Sequence, residues 1–156
     1  MTFRCMIFAS LLAFAAGSAI AAPAAVEPFD RSSWATLLAS KSQPAIVIFT
    51  SVSCTHCPGA IARLAAKRSS INPRVNLIVV SMDSEDDAAL LRDMHYAPAD
   101  RLLSFRGHPQ ALTYSVNPGW RGMTPYVAFI DGKAGVKFVL GEPKESVLVP
   151  WLRAVR

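Results

Sequence analysis

Apolar residues recur along this chain with two different periods, and the changes of period mark its elements. From Ser32 to Ala39 the apolar residues Trp34, Leu37 and Leu38 fall on one face, which predicts a short helix. Ala45 to Phe49 (AIVIF) is then apolar without interruption and follows Pro44. A short run of β-branched and aromatic residues like this predicts a strand buried on both faces. Pro58 opens the next helix, since a missing N–H costs nothing in a first turn. Ile61, Leu64 and Ala65 continue it at three- and four-residue spacing until Asn72-Pro73 ends it.

Val75 to Val80 predicts a second buried strand. Ser84 is the expected N-cap of a further helix, with acids in its electropositive first turn and Leu90, Leu91 and Met94 beyond. After a loop containing Arg106, Gly107 and Pro109, a shorter helix is expected around Gln110 to Val116. Tyr126 to Ile130 predicts another strand, Asp131-Gly132 a hairpin turn, and the alternating Val136 to Leu140 its partner. Pro143 opens a last helix through Val147, Leu148, Trp151 and Leu152, bent at Pro150. This order predicts an α/β fold: a mixed sheet with parallel central strands, a C-terminal antiparallel hairpin and helices on both faces.

The 156 residues suit one domain, and the N-terminus narrows that further. Arg4, the apolar run Ile7 to Ala16 and the sequence Ala19-Ile20-Ala21 predict a cleaved secretory signal over residues 1–21. The run falls short of the roughly 20 residues that span a bilayer, so no transmembrane segment is expected after processing. Cys5 precedes the run and is no lipid-attachment site. A flexible lead-in is expected over 22–30 and the folded domain over 31–156, in the periplasm or outside the cell. Loss of Arg4 lowers the formal charge from +5 to +4. The remaining cations (Arg63, Lys67, Arg68 and Arg101 among them) form no run, which argues against nucleic acid and predicts a solvated basic surface.

Removal of the signal also leaves two cysteines, Cys54 and Cys57, in the stretch FTSVSCTHCPGA. Three jobs are open to such a pair: a structural disulfide, a metal clip, or a redox dithiol. A staple closing so short a loop removes little entropy from the unfolded chain. A metal needs more ligands, and His95 and His108 show no ligand spacing to the pair; they are expected to be ordinary loop histidines. A dithiol fits the strand-to-helix junction, where unsatisfied N–H groups and the helix dipole stabilise a thiolate. Cys54, at the turn, is then the nucleophile and Cys57 the resolving thiol, with Thr55 and His56 between them tuning the pair. The dithiol carries two electrons itself, so no cofactor is expected.

Strand, C-x-x-C-P, helix and then Thr124-Pro125 before a strand and hairpin resemble the thioredoxin superfamily. The helix-bearing insertion between Asp83 and Thr124 and the stretch TPYVAFIDGKAGVKFVLGEP are similar to its secreted TlpA/ResA-like branch. The resemblance covers roughly residues 30 to 156, nearly the whole mature chain. It implies a cis Pro125 facing the dithiol, with the Thr124 backbone pairing an extended substrate. Trp120, just ahead of Pro125, is placed either to rim the substrate groove or to fill a core edge. It further implies protein thiols or disulfides as substrates and a membrane or periplasmic redox partner. Two positions depart from the family: Ser53 stands where tryptophan is common, and Ile48 where many members bury an acid. A copper-handling chaperone and a thiol peroxidase are the alternative functions on the same fold.

Overall fold

The computed structural model describes residues 22–40, 43–83, 86–133 and 135–155. The signal over residues 1–21 and the cap expected at Ser84 lie outside them. Eleven elements follow in the order β1 (Val26–Phe29), α1 (Ser33–Ala39), β2 (Ala45–Thr50), α2 (Cys57–Ile71), β3 (Asn76–Ser81), α3 (Asp87–Arg92), β4 (Arg101–Phe105), α4 (Pro109–Val116), β5 (Tyr126–Ile130), β6 (Val136–Leu140) and α5 (Glu145–Ala154). The strands form one sheet in the order β1-β4-β3-β2-β5-β6. β1, β4, β3 and β2 are mutually parallel, and the β5–β6 hairpin joins antiparallel on the far side of β2.

Every residue of β2 and β5 is buried, as an uninterrupted apolar run in a central strand requires. Alternation splits the strands between two cores. Ile46, Ile48, Leu77, Val79, Val127 and Phe129 meet α2, α3 and α5 on one face. Val47, Phe49, Ile78, Val80, Tyr126 and Ala128 meet α1 and α4 on the other. Burying one such large side chain contributes about 1.5–3 kcal/mol, so the two cores account for the rigidity of the sheet.

Four expectations change. Residues 26–29 are not a flexible lead-in: Val26 to Phe29 pair in register with Leu102 to Phe105. Pro28 is compatible with this because β1 is an edge strand. β4 itself was not expected, since five residues containing Ser104 carry neither a long apolar run nor clean alternation. The third helix starts later, at Asp87, capped by the Asp86 carboxylate accepting from the Ala89 N–H at 2.9 Å. It also stops at Arg92, leaving Met94 outside on an exposed turn. The last helix keeps the expected course, running through Pro150 to Ala154.

The fourth correction concerns charge. Arg68 is not on a solvated surface but only 3% exposed. Its guanidinium donates to both oxygens of Asp100, at 2.6 and 3.0 Å, and to the Val75 carbonyl at 2.8 Å. Asp100 in turn accepts the Leu77 N–H at 2.7 Å. The pair ties the end of α2 to the start of β3 and the approach to β4. Arg63 and Lys67, on the same helix, pair with Glu142 and Glu145 beside α5. Arg101 grips Glu27 with two nitrogens, at 2.8 and 2.5 Å, bracing β4 against β1.

Candidate active site

β2 delivers the chain to Thr50 at the end of the sheet, and the turn 51–56 carries it into α2. The Cys54 N–H donates to the Ser51 carbonyl (3.1 Å) and the Cys57 N–H to that of Cys54 (3.2 Å). The turn is anchored from outside as well: the Val52 N–H donates to Asp83 at 3.0 Å, and the Ser51 and Ser53 hydroxyls bond at 3.0 Å. α2 begins at Cys57 with Pro58 in its first turn and no acid there. The positive end of a helix of 15 residues is therefore left free to act on the sulfurs.

Cys54 and Cys57 are joined by a disulfide with Cα atoms 5.4 Å apart. Cys54 is half-buried, whereas Cys57 is 1% exposed. Of the two sulfurs, that of Cys54 is on the more accessible residue. Thr55 and His56 between them are exposed, and His56 occupies the N-cap position without capping through its side chain. Ile48 lies fully buried in the apolar core that α2 covers.

The Thr124–Pro125 peptide bond is cis, as the resemblance implied. Phe49 pairs with Tyr126, so Thr124 and Pro125 stand at the end of the sheet where β2 gives way to the dithiol turn. Thr124 is half-buried and Pro125 buried, its carbonyl accepting the Gly141 N–H at 2.8 Å. Gly122, at φ +82°, bends the loop ahead of them into a conformation that disfavours other residues. Trp120 does not rim a groove. It is 5% exposed, stacks on Tyr126 at 4.5 Å and leans on Phe49 at 4.9 Å. Its ring N–H donates to the Met123 carbonyl at 2.9 Å, so it supports the loop that carries Thr124 from below. Met123 (55% exposed), on the loop before Thr124, and Val52 (69%), on the dithiol turn, present apolar side chains at the surface.

A cleft of about 280 Å³ opens beside Cys54. One wall is the turn from Ser51 to Thr55 with Pro58; the other is the connection from α3 to β4, with Asp93, His95 and Tyr96. Tyr96 is 5% exposed and stands against the cleft with the buried Thr50. Burial pushes its phenol above the ordinary range, the carboxylates of Asp93 and Asp83 add to this, and the Thr50 hydroxyl opposes it. Of these cleft residues, Asp93, His95 and Tyr96 were not expected from the sequence, and His95 least of all. The signal was absent because the connection becomes part of the site only when β3 and β4 pair. A separate recess of about 350 Å³ lies at the other end of β5, against Phe129 and Trp151, and contains no thiol. Among the described residues no group of three or more His, Cys, Asp or Glu side chains is arranged to hold a metal ion. Nor is any described helix long and apolar enough to cross a membrane.

No protein-family model matches the sequence, and no curated protein matches it. Solved structures are similar to it. A thiol:disulfide interchange protein from Bacteroides sp. is 14% identical, with a TM-score of 0.59 over 86% of this chain and 88% of its own. The thioredoxin domain of a thiol-disulfide oxidoreductase from Bacteroides vulgatus is 18% identical, with a TM-score of 0.56 over 74% and 81%. A secreted disulfide oxidoreductase of Mycobacterium tuberculosis, homologous to E. coli DsbE, is 16% identical, with a TM-score of 0.54 over 72% and 81%. Likeness at these identities is likeness of fold, and the fold is thioredoxin-like.

Proposed function

We propose that this thioredoxin-like chain is a secreted thiol–disulfide oxidoreductase that exchanges the Cys54–Cys57 disulfide with the thiols of other proteins. One observation carries the reading: the disulfide sits at the N-terminus of α2 with Cys54 accessible and Cys57 covered. A partner thiolate attacks the Cys54 sulfur, the Cys54–Cys57 bond breaks, and Cys57 leaves with the electron pair and takes up a proton. A second partner thiol then loses its proton and attacks the mixed disulfide. The partner leaves oxidised, with Cys54 and Cys57 reduced. The reverse sequence reduces a partner disulfide, with Cys57 as the resolving thiol.

The remaining parts have roles in the same scheme. The dipole of α2 and the exposed imidazole of His56 favour the thiolate, with Thr55 shaping the turn. The backbone of Thr124, set by cis Pro125, pairs with the partner's extended chain as a strand would. The solved structures named above include a secreted disulfide oxidoreductase. That supports a TlpA/ResA-like assignment, with residues 1–21 as an export signal, a periplasmic site of action and a membrane or periplasmic redox partner. The dithiol is the electron carrier, and no other cofactor enters the scheme. N-terminal sequencing of the exported protein tests the signal, with Ala22 the expected first residue.

Cys54→Ser is expected to abolish insulin reduction and thiol oxidation, whereas Cys57→Ser still reacts once and accumulates mixed disulfides. Full activity in Cys54→Ser overturns the mechanism.

A further inference from the structure

The cleft beside Cys54 is lined by residues that the scheme above leaves unused. The Asp93 carboxylate accepts two hydrogen bonds from His95 through one oxygen: from the backbone N–H at 3.0 Å and from Nδ1 at 2.8 Å. A proton on Nδ1 is what such a contact requires, and this fixes the tautomer of the neutral ring. Nε2 is then the basic nitrogen, free to accept a proton from something in the cleft. Asp93 and His95 side chains are 40% and 60% exposed, so the pair adds little to stability and is reachable by a bound partner.

The surroundings of Cys54 give such a base a purpose. Beneath α2 the surroundings are apolar: Ile48, Ala60 and Ile61 belong to one buried core. On the cleft side, the titratable side chains among the lining residues are Cys54, Asp93, His95 and Tyr96. Asp83 bears on the cleft through Tyr96 and holds the Val52 N–H. Pro58 and Ile61 of α2 contribute no titratable group, and His56, exposed on the same turn, does not line the cleft. Tyr96 is buried, and burial holds its phenol above the ordinary range.

We infer that His95, oriented by Asp93, is the proton-transfer residue for the Cys54 side of the exchange, working from the connection between α3 and β4. The inference rests on the dithiol chemistry proposed above. When the reduced protein meets a partner disulfide, His95 Nε2 takes the proton of the Cys54 thiol. The Cys54 thiolate attacks one partner sulfur, the partner S–S bond breaks, and the departing thiolate takes the proton back from the imidazolium. The products are a Cys54–partner disulfide and one free partner thiol, with His95 neutral again. Base, orienting carboxylate and nucleophile line one cleft, the arrangement by which a base activates a neighbouring thiol.

The test is the rate at which the reduced full-length protein attacks an oxidised glutathione probe between pH 5 and 9, in wild type, H95Q, D93N and H56Q. H95Q is expected to slow exchange about tenfold near neutral pH and to remove one ionisation from the profile, leaving that of the thiol. D93N, which keeps an oxygen for the His95 N–H, is expected to reproduce part of the loss. H56Q retains the ionisation that H95Q removes. Alkylation of Cys54 by iodoacetamide supplies a second readout that needs no partner disulfide, and H95Q shifts its pH profile too. Unchanged profiles in H95Q, in a wild type that does exchange, overturn the role of His95. A wild type that reacts with neither glutathione disulfide nor iodoacetamide at Cys54 overturns the dithiol reading itself.

Discussion

Arg68–Asp100 and His95–Asp93 are both pairs of a nitrogen base with a carboxylate, in opposite surroundings. Arg68 is 3% exposed and its pair is locked to Val75 and Leu77 by backbone hydrogen bonds. His95 is 60% exposed, lies on the rim of the cleft beside Cys54 and bonds within its own turn. A charged pair inside the fold cannot be loosened without leaving a buried charge behind, so the first pair holds elements together. The second is open to solvent and anchored within its own turn, beside the cleft where the proposed exchange takes place. The same contrast separates the rigid sheet from the turns at its end, where the candidate site lies.

The largest break in that comparison comes from Arg68. Arg68→Ala removes the guanidinium from Asp100 and from the Val75 carbonyl together, and is expected to cost about 3–5 kcal/mol in urea unfolding. Exchange by the molecules still folded should be unchanged. Tyr96→Phe reaches from the core into the cleft. It removes the hydroxyl of a buried ring on the cleft wall and is expected to cost about 1 kcal/mol by the same measurement.

Glu27 gives a smaller, pH-dependent effect at the β1 edge. The Arg101 hydrogen bonds hold its carboxyl below the ordinary value of 4.5, with the Arg101 charge adding to this and burial opposing it. A carboxyl lowered in the folded state stabilises above its unfolded value, and that stability is lost as pH falls below 4.5 through the folded value. Both side chains are more than a third exposed, so the pair contributes about 0.2–1 kcal/mol at neutral pH. Glu27→Gln should flatten the acid side of the pH–stability curve by that amount. Smallest of all in stability is His95→Gln, expected within about 0.5 kcal/mol of wild type while its exchange kinetics change.

The same division explains what the sequence revealed. β2, β3 and β5 were legible because central strands buried on both faces demand unbroken apolar runs, as in AIVIF and YVAFI. The placement of Cys54, Cys57 and cis Thr124-Pro125 was legible because it depends on short spacings and on which element follows. β1 and β4 were not: Val26 to Phe29 contains Glu27 and Pro28, and Arg101 to Phe105 contains Ser104. Their strand character comes from pairing with each other and with β3, a long-range effect without a local pattern. The burial of Arg68 and Trp120, and the place of His95 in the cleft, have the same origin. Each depends on which segment folds above it. An arginine near a helix end gives no sign that an aspartate will cover it.

The central claim is that the Cys54–Cys57 disulfide is an electron carrier rather than a staple, and its reduction potential tests that most directly. Equilibration of the protein with a glutathione or dithiol redox buffer, read by thiol alkylation and mass, gives the value. A potential between about −120 and −270 mV, the range of dithiols that exchange with protein partners, is the predicted result. A potential below about −300 mV, where structural disulfides of secreted proteins lie, would contradict it.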